Sequence, residues 1–348
     1  MIACPWRAAQ LLTAAKSFEA NPFIGSERLN RRGLHAARVS LAHAMAARRR
    51  KRLAHLVSPE DRAAYARDGF VMRPDFLPPD QFTRLVSELR AWRGDALEAM
   101  QGDTRHRKMA FDPQALAAAP TLRAVIASPA WRGLIRYVGS LDSDPQVLLQ
   151  TLVRPGGETS SDPQTRLHAD SFHPTAKAWL FLTDVAEDAG PFSYVSGSHV
   201  LTPARLEWER RMSLTARAAS DSDTREGSFR ITPAGLAAMG FGPARLFPVK
   251  ANTLLVADTF GFHARGPSLR PSMRVEIFAL GRRDPFRPWP GLDPLTTPML
   301  GMPAARPGAW RMCWGEAASR SCGARSHPSI QPDRRPAPVR PGRSKGCP

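Results

Sequence analysis

Two residues that can bind a metal ion stand two positions apart, at His168 and Asp170. Side chains two apart in an extended strand point to the same face, so the imidazole and the carboxylate would converge. A third ligand is available at His263, 95 residues further along the chain. Two His and one carboxylate on one face of a metal leave the opposite face open, as in non-haem Fe(II) oxygenases. Zinc accepts the same donors, so the ligands alone leave the choice of metal open.

Arg274 lies 11 positions after His263 and opens the apolar, β-rich run RVEIFALG. An oxygenase that uses 2-oxoglutarate binds the keto-acid end of this molecule at iron, and the far carboxylate then needs a buried cation. A guanidinium is a flat, two-pronged donor that suits a carboxylate. We therefore expect Arg274 to make this contact, and we prefer it to Arg270, which stands beside Pro271 in a predicted loop.

The order of several motifs resembles the phytanoyl-CoA dioxygenase family of Fe(II)/2-oxoglutarate oxygenases. His-x-Asp is followed by a strand that ends in TDVAEDAGPF, by the turn VSGSH, and by the distal His and Arg. Upstream, DGFV and PDFL within residues 68–77 match another segment that is usual in the family. The resemblance covers residues 58–285, and its weight comes from the ordered set, since His-x-Asp alone arises often by chance.

This resemblance implies the cofactors and the residues that hold them. Fe(II) would bind His168, Asp170 and His263. 2-Oxoglutarate would occupy two open positions on the metal, with Arg274 at its far carboxylate, and O2 would take the last position. Trp179 would either wall the co-substrate pocket or pack in the core. The expected reaction is hydroxylation of a C–H bond of a small organic substrate, with release of succinate and CO2, and the carboxylate of Asp170 favours hydroxylation over halogenation.

Three other polar residues, His173, His199 and Arg265, are weighed beside the proposed ligands. His173 is five positions after His168, so on an extended strand it would face away from it. His199 follows Gly197 and Ser198, and hydrogen bonding within that turn is its expected role. Arg265 is expected to contact the substrate or a carboxylate near the iron.

Strand-like runs dominate the chain from residue 147 onward. They are VLLQTLVR, AWLFLTDV, FSYVSGSHV and RVEIFALGR. The segment RLFPVKANTLLVADTF predicts a further hairpin-like pair of strands with Asn252 near its turn. Short strands without a βαβ rhythm predict a mainly β fold with flanking helices, whose core is a double-stranded β-helix of the jelly-roll, cupin-like kind.

Helices are predicted mainly in the first part of the chain. One begins after Ser58, a good N-cap, with Pro59 at its first position, and ends at Gly69. A second helix is predicted over residues 79–100 from apolar side chains at helical spacing. Two short helices are expected within residues 113–138.

Charge and composition divide the chain into parts. Residues 31–52 hold eight Lys/Arg and no acid, and residues 304–348 hold nine Lys/Arg and two acids, so these segments supply 15 of the net charge of +18. We predict an N-terminal extension with a basic helix at 1–57, an oxygenase domain at 58–290 and a disordered basic tail at 303–348. A helical insertion at about 203–240 would cover the mouth of the barrel.

The basic helix and the cysteines bear on partners and location. The run at 48–52, RRRKR, suits a phosphate surface, so peripheral membrane contact stays open, although a solvated helix packed on the domain is the preferred interpretation. The absence of an aromatic platform disfavours nucleic acid. We expect no transmembrane segment, because no apolar run reaches 18 residues, and no signal peptide. The four cysteines lie outside residues 58–285, which favours a reducing cytoplasm.

Two alternative functions remain open at this point. The first is a cupin-like metal enzyme that does not use 2-oxoglutarate, for which Arg274 would not matter to turnover. The second is a non-catalytic protein that associates with membranes or nucleic acid through the basic helix at residues 31–52.

Overall fold

The computed structural model describes residues 5–157, 161–281 and 284–287. Within these residues the strands are β1 (Phe70–Arg73), β2 (Ala96–Gln101), β3 (Thr104–Ala110), β4 (Gln146–Arg154), β5 (Ala176–Phe181), β6 (Phe192–Tyr194), β7 (Arg245–Phe247), β8 (Leu254–Asp258), β9 (His263–Arg265) and β10 (Ser272–Gly281). The helices are α1 (Pro5–Ala9), α2 (Glu27–Arg31), α3 (Leu34–Leu53), α4 (Pro59–Asp68), α5 (Pro79–Ala91), α6 (Pro113–Ala118), α7 (Pro120–Ala127), α8 (Pro129–Val138), α9 (Pro203–Thr215), α10 (Ser222–Arg225) and α11 (Pro233–Ala238).

These strands form two antiparallel sheets. The larger has the order β1-β8-β5-β10-β4-β3-β2, and the smaller has the order β7-β6-β9. Aromatic side chains from both sheets pack together, among them Trp179 and Phe278 from the larger sheet and Phe192 from the smaller one. The chain is thus a mainly β jelly-roll with flanking helices, and the fold expected from the sequence is confirmed.

The larger sheet buries its second face under helices. On the face opposite Trp179 and Phe278, the side chains of Leu180 on β5 and Ile277 on β10 point toward the helices. They pack with Leu85 of α5 and with Trp131 of α8. Trp131 is fully buried. The period-two alternation of each strand therefore gives one face to the helices and leaves the other for the space between the sheets.

The start and end signals of α4 are confirmed. Ser58 accepts a hydrogen bond from the Asp61 backbone N–H at 3.2 Å, and Gly69 ends the helix with a φ of 88°. The prediction of one helix over residues 79–100 is wrong, because α5 ends at Ala91 and β2 and β3 form a hairpin over 96–110. Pairing of β3 with β4 outweighs the local helix preference of this segment.

The predicted hairpin within residues 245–260 is also wrong. Asn252 does lie at a turn, with a φ of 67°. However, β7 pairs with β6 in the smaller sheet, whereas β8 pairs with β1 and β5 in the larger one. The turn therefore carries the chain from one sheet to the other, as strands of a jelly-roll do.

The basic helix α3 packs against α9 and α8. Arg49 is buried and donates to the carbonyls of Ser140 at 2.7 Å and Pro285 at 3.0 Å. Arg50 donates to the carbonyl oxygens of Tyr137 and Val138 at the end of α8. Part of the basic run therefore neutralises helix-end carbonyls inside the protein.

Several sequence-based predictions stay open. The tail at 303–348 and all four cysteines lie outside the described residues. The division into an extension at 1–57 and a domain at 58–290 stays a prediction, as does membrane contact through 31–52. Among the described residues no helix has the length and apolar character to cross a bilayer.

Candidate metal centre

Two segments of the chain bring the three predicted ligands together. The backbones of His168 and His263 exchange hydrogen bonds in both directions, each at 3.0 Å, so the two residues face each other in an isolated antiparallel bridge. The Asp170 backbone N–H donates to the carbonyl of Thr259 at 2.9 Å. His168 is thus paired like a strand residue, as predicted, whereas Asp170 lies at a bend, and neither belongs to a named strand.

The donor atoms of this group converge. Asp170 Oδ1 lies 3.7 Å from His168 Nε2 and 3.8 Å from His263 Nε2. All three donors lie within 4.8 Å of one another, and all three residues are buried. Such spacing fits one metal ion between them, since ligand atoms bound at about 2.1 Å are separated by a few ångströms. Metal ligation by this group stays a prediction.

Backbone carbonyls fix the tautomer of both imidazoles. His168 Nδ1 lies 2.8 Å from the carbonyl oxygen of Arg166, and His263 Nδ1 lies 2.9 Å from that of Gly261. A carbonyl can only accept, so each Nδ1 carries the hydrogen and each Nε2 presents a lone pair. Both Nε2 atoms are buried, and none of the residues that the structure describes gives them a hydrogen bond, which is costly unless another group binds there. A metal ion fits this requirement, and the Nδ1 contacts are the usual orienting bonds of metal-bound His.

Burial also keeps the two imidazoles neutral. It lowers the pKa of His263 to about 4 and lowers the pKa of His168 well below its ordinary value. The negative charge of Asp170 raises the pKa of His263, but burial lowers it by more. Neutral imidazole is the form that binds metals, so both side chains are ready to bind at neutral pH.

The loop before His263 is held by close contacts. A Cβ on Gly261 would lie 1.8 Å from the hydroxyl oxygen of Tyr194, so only glycine fits there. Tyr194 donates to the carbonyl of Asp258 at 2.8 Å, and the Phe262 N–H donates to Ser198 Oγ at 2.8 Å. These contacts determine where His263 emerges into the site.

A buried ion pair supports the same loop. Arg205 on α9 is fully buried and pairs with Glu209 at 3.1 Å. Its guanidinium donates to the carbonyls of Ser198 and Phe260, and it lies 3.8 Å from the centroid of the Phe262 ring. The helix α9 therefore contributes to the support of the loop before His263.

A cavity of about 390 Å³ is lined by two of the three predicted ligands. It is lined by His168, His263, Trp179, Arg265 and Arg274, among other residues. Trp179 also packs on Phe192 and Phe278, so the wall and core roles considered for it are compatible. The volume suits a small organic molecule together with a keto acid.

Arg274 is held in place by two polar neighbours. Its Nη1 donates to the carbonyl of Gly190 at 2.9 Å, and its Nε lies 2.9 Å from Glu276 Oε2. Glu276 is fully buried and accepts from Gln150 Nε2 at 2.6 Å. The guanidinium is therefore fixed in orientation at the cavity wall, as a carboxylate anchor needs to be. Arg270, in contrast, makes an exposed ion pair with Asp188.

The remaining candidates have contacts outside the His–Asp–His group. The His173 ring contacts the carbonyl of Pro174, and His199 packs edge-on against the ring of Tyr65. Arg265 lines the cavity and forms an ion pair with buried Asp162. Burial lowers the pKa of Arg265 to about 10.

The sequence analysis missed several cavity residues, among them Lys177, His106 and Lys108. Lys177 on β5 forms an ion pair with Asp170, and His106 and Lys108 on β3 line the cavity. Burial, followed by the charge of Arg265, lowers the pKa of His106 to about 2, so this ring is neutral. The alternation within β3 could have indicated a strand, but its pairing with β4 was not visible locally.

Comparison with known proteins identifies a family match. The family model of phytanoyl-CoA dioxygenase (PhyH) matches residues 65–238, which is half of the chain. A search of curated proteins gave no match.

Several solved structures are similar at low identity. The non-heme alpha ketoglutarate dependent epimerase SnoN from nogalamycin biosynthesis is 21% identical over 65% of this chain and 82% of that one, with a TM-score of 0.43. HygX from Streptomyces hygroscopicus with nickel, 2-oxoglutarate and hygromycin B bound is 18% identical over 65% of this chain and 87% of that one, with a TM-score of 0.41. These TM-scores are too low to support any statement about activity.

Proposed function

Because the chain belongs to the phytanoyl-CoA dioxygenase (PhyH) family of Fe(II)- and 2-oxoglutarate-dependent oxygenases, we propose that it hydroxylates a C–H bond of a small organic substrate. Its cofactors are Fe(II), 2-oxoglutarate and O2. One observation carries the proposal. The Nε2 atoms of His168 and His263 and the Oδ1 atom of Asp170 converge in a buried site beside the cavity that Arg274 lines.

Each side chain has a role in this proposal. The two neutral imidazoles and the carboxylate would hold Fe(II) on one face, and Arg274 would pair with the far carboxylate of 2-oxoglutarate. When bound, iron and 2-oxoglutarate supply the oxidising chemistry with O2 and yield succinate and CO2. Trp179 and its aromatic neighbours exclude water from that wall of the cavity, which strengthens the charge pairing of Arg274.

The central experiment follows binding and turnover in sequence. The purified protein is titrated with Fe(II) without oxygen, then with 2-oxoglutarate, and is then exposed to O2 with a panel of small molecules while succinate is measured. Hydroxylation predicts one added oxygen atom in the organic product. A product of unchanged mass, or one that has lost two hydrogens, would mean oxygenase-type chemistry with a different outcome.

Matched variants test the metal ligands. His168→Ala should lower succinate formation by more than about 100-fold, because even the partners that orient a metal ligand are worth 10–100-fold. His55 is exposed on the surface, and His55→Ala should leave the rate unchanged. Full activity in His168→Ala would refute the proposed iron site.

A second variant distinguishes the proposed 2-oxoglutarate oxygenase from a cupin-like metal enzyme that does not use 2-oxoglutarate. Arg274→Met should weaken 2-oxoglutarate binding by about 10–1,000-fold, since a lost charge-assisted contact is worth about 1.5–3 kcal/mol and a buried one more. Unchanged turnover in this variant would favour an enzyme that does not use 2-oxoglutarate.

We further propose a cytoplasmic location, because a reducing compartment keeps iron in the ferrous state.

The basic helix is the basis of the remaining alternative. Within 48–52, the side chains of Arg48, Lys51 and Arg52 are exposed. If the protein bound anionic surfaces through them, changing all three to Gln would remove salt-dependent binding to anionic vesicles or DNA. We expect no such binding at physiological salt.

A further inference from the structure

The carboxylate of Asp170 has its two oxygens in different environments. Oδ1 faces the Nε2 atoms of His168 and His263 at 3.7 and 3.8 Å. Oδ2 forms an ion pair with Lys177 Nζ at 2.7 Å. Lys177 thus contacts the oxygen that does not face the imidazoles.

Lys177 belongs to the cavity face of the larger sheet. It lies on β5 opposite Leu280 of β10, two residues before Trp179, and it lines the cavity. Its side chain is 16% exposed and that of Asp170 is 9% exposed, so water screens this pair much less than a surface pair.

The main chain of Asp170 is also fixed. Its N–H donates to the carbonyl of Thr259, and its carbonyl accepts from Lys16 Nζ at 2.6 Å. With the backbone held on both sides, the carboxylate can change its contacts only by rotating its side chain. The contact with Lys177 opposes that rotation.

The way in which Asp170 binds determines how many positions remain on the metal. A carboxylate can bind through one oxygen or through both. In an octahedral site, three single-atom ligands leave three positions, which 2-oxoglutarate and O2 together require. If Asp170 used both oxygens, one of these positions would be lost.

We propose that Lys177 is a positioning residue that keeps Asp170 bound through Oδ1 alone and so preserves a position for the co-substrates. This inference rests on the proposed function. It assigns Lys177 no part in holding the metal itself, and the positive charge of Lys177 opposes metal binding. Removal of this lysine should therefore affect the ligands that bind after iron.

The test compares Lys177→Met and Lys177→Arg with a matched control. Lys250→Met removes a surface Lys–Asp pair of similar length, 2.9 Å to Asp184, in which the lysine is 85% exposed. Each protein is titrated without oxygen, first with Fe(II), then with 2-oxoglutarate, and then with nitric oxide. Nitric oxide is uncharged, so a change in its binding does not follow from the lost charge alone.

The expected result has a specific pattern. Lys177→Met should bind Fe(II) at least as tightly as the unmodified protein, but its affinity for 2-oxoglutarate should fall by about 10–100-fold, the range for partners that orient a metal ligand. It should also fail to bind nitric oxide and 2-oxoglutarate together. Lys177→Arg, which can still pair with Oδ2, and Lys250→Met should behave like the unmodified protein.

Other patterns overturn the inference. Unchanged binding of 2-oxoglutarate and nitric oxide in Lys177→Met would mean that Lys177 does not determine how Asp170 binds. Weaker Fe(II) binding with unchanged 2-oxoglutarate binding would mean that it only supports the fold. If Lys177→Met fails to fold, Lys177→Gln, whose shorter amide carries no charge, is measured in the same way. No Fe(II) binding by the unmodified protein would instead refute the proposed function.

Discussion

Replacement of Glu209 by Leu tests whether a buried ion pair supports the metal-site loop. Glu209 and Arg205 are both buried on α9, and Glu209 also contacts His35 Nε2 at 3.1 Å. Burial alone would raise the pKa of Glu209, but the hydrogen bond with His35 and the charge of Arg205 lower it below its ordinary value. The carboxylate is therefore ionised in the folded protein at neutral pH.

The expected loss of stability in Glu209→Leu comes from the buried charge of Arg205 that the substitution leaves unpaired. Glu209→Leu would leave the guanidinium of Arg205 buried without its counter-charge, and breaking a buried pair on one side costs about 3–5 kcal/mol. Arg205 would keep its contacts to the carbonyls of Ser198 and Phe260. With a urea m-value of about 3 kcal/mol/M, the midpoint of unfolding should fall by about 1–1.7 M.

An exposed ion pair on the same helix is the control for the buried pair of Glu209 and Arg205. Glu207 forms an exposed pair with Arg210 at 2.7 Å, and Glu207→Leu should cost less than about 1 kcal/mol. The double variant Arg205→Met/Glu209→Leu should be more stable than Glu209→Leu, because no orphan charge remains. Urea unfolding followed by circular dichroism measures all three. The reasoning is refuted if Glu209→Leu unfolds at the same urea concentration as Glu207→Leu.

Three further predictions concern the basic helix, the loop before the distal His and the response to acid. Arg49→Met should cost about 3 kcal/mol in urea unfolding, because it removes charge-assisted bonds to buried carbonyls, whereas Arg48→Met should cost less than about 0.5 kcal/mol. Gly261→Ala should weaken Fe(II) binding in anaerobic titration, because its Cβ would collide with the hydroxyl of Tyr194; unchanged affinity would contradict the contact. Burial lowers the pKa of His199 from 6.5 to about 4. Between pH 6.5 and pH 4 the unfolded chain therefore takes up a proton that the folded protein does not. The free energy of unfolding should fall over this range by up to about 1.4 kcal/mol per pH unit. His199→Phe should reduce this slope when urea midpoints at pH 7 and pH 5 are compared.

The sequence by itself determined the features that depend on local patterns. Apolar runs bounded by turn residues predicted several strands of the jelly-roll, and the Ser58-Pro59 start and Gly69 stop predicted α4. The spacing and order of motifs singled out His168, Asp170 and His263, whose donor atoms the fold brings within 4.8 Å. Helix caps and apolar runs are local signals because each lies within a short stretch of chain, and the order of the motifs can be read along the chain without knowing which residues touch.

Only the tertiary structure decided features that depend on distant partners. Residues 96–100 were predicted as the end of a helix, yet they form β2, because β3 pairs with β2 on one side and with β4 on the other. Arg49 belongs to a run that looks like a surface patch, yet it points inward to carbonyls more than 90 positions away. The contact of Lys177 with Asp170 depends on how β5 lies beside the ligand segment, since register between segments is set by packing of the whole sheet and not by either segment alone.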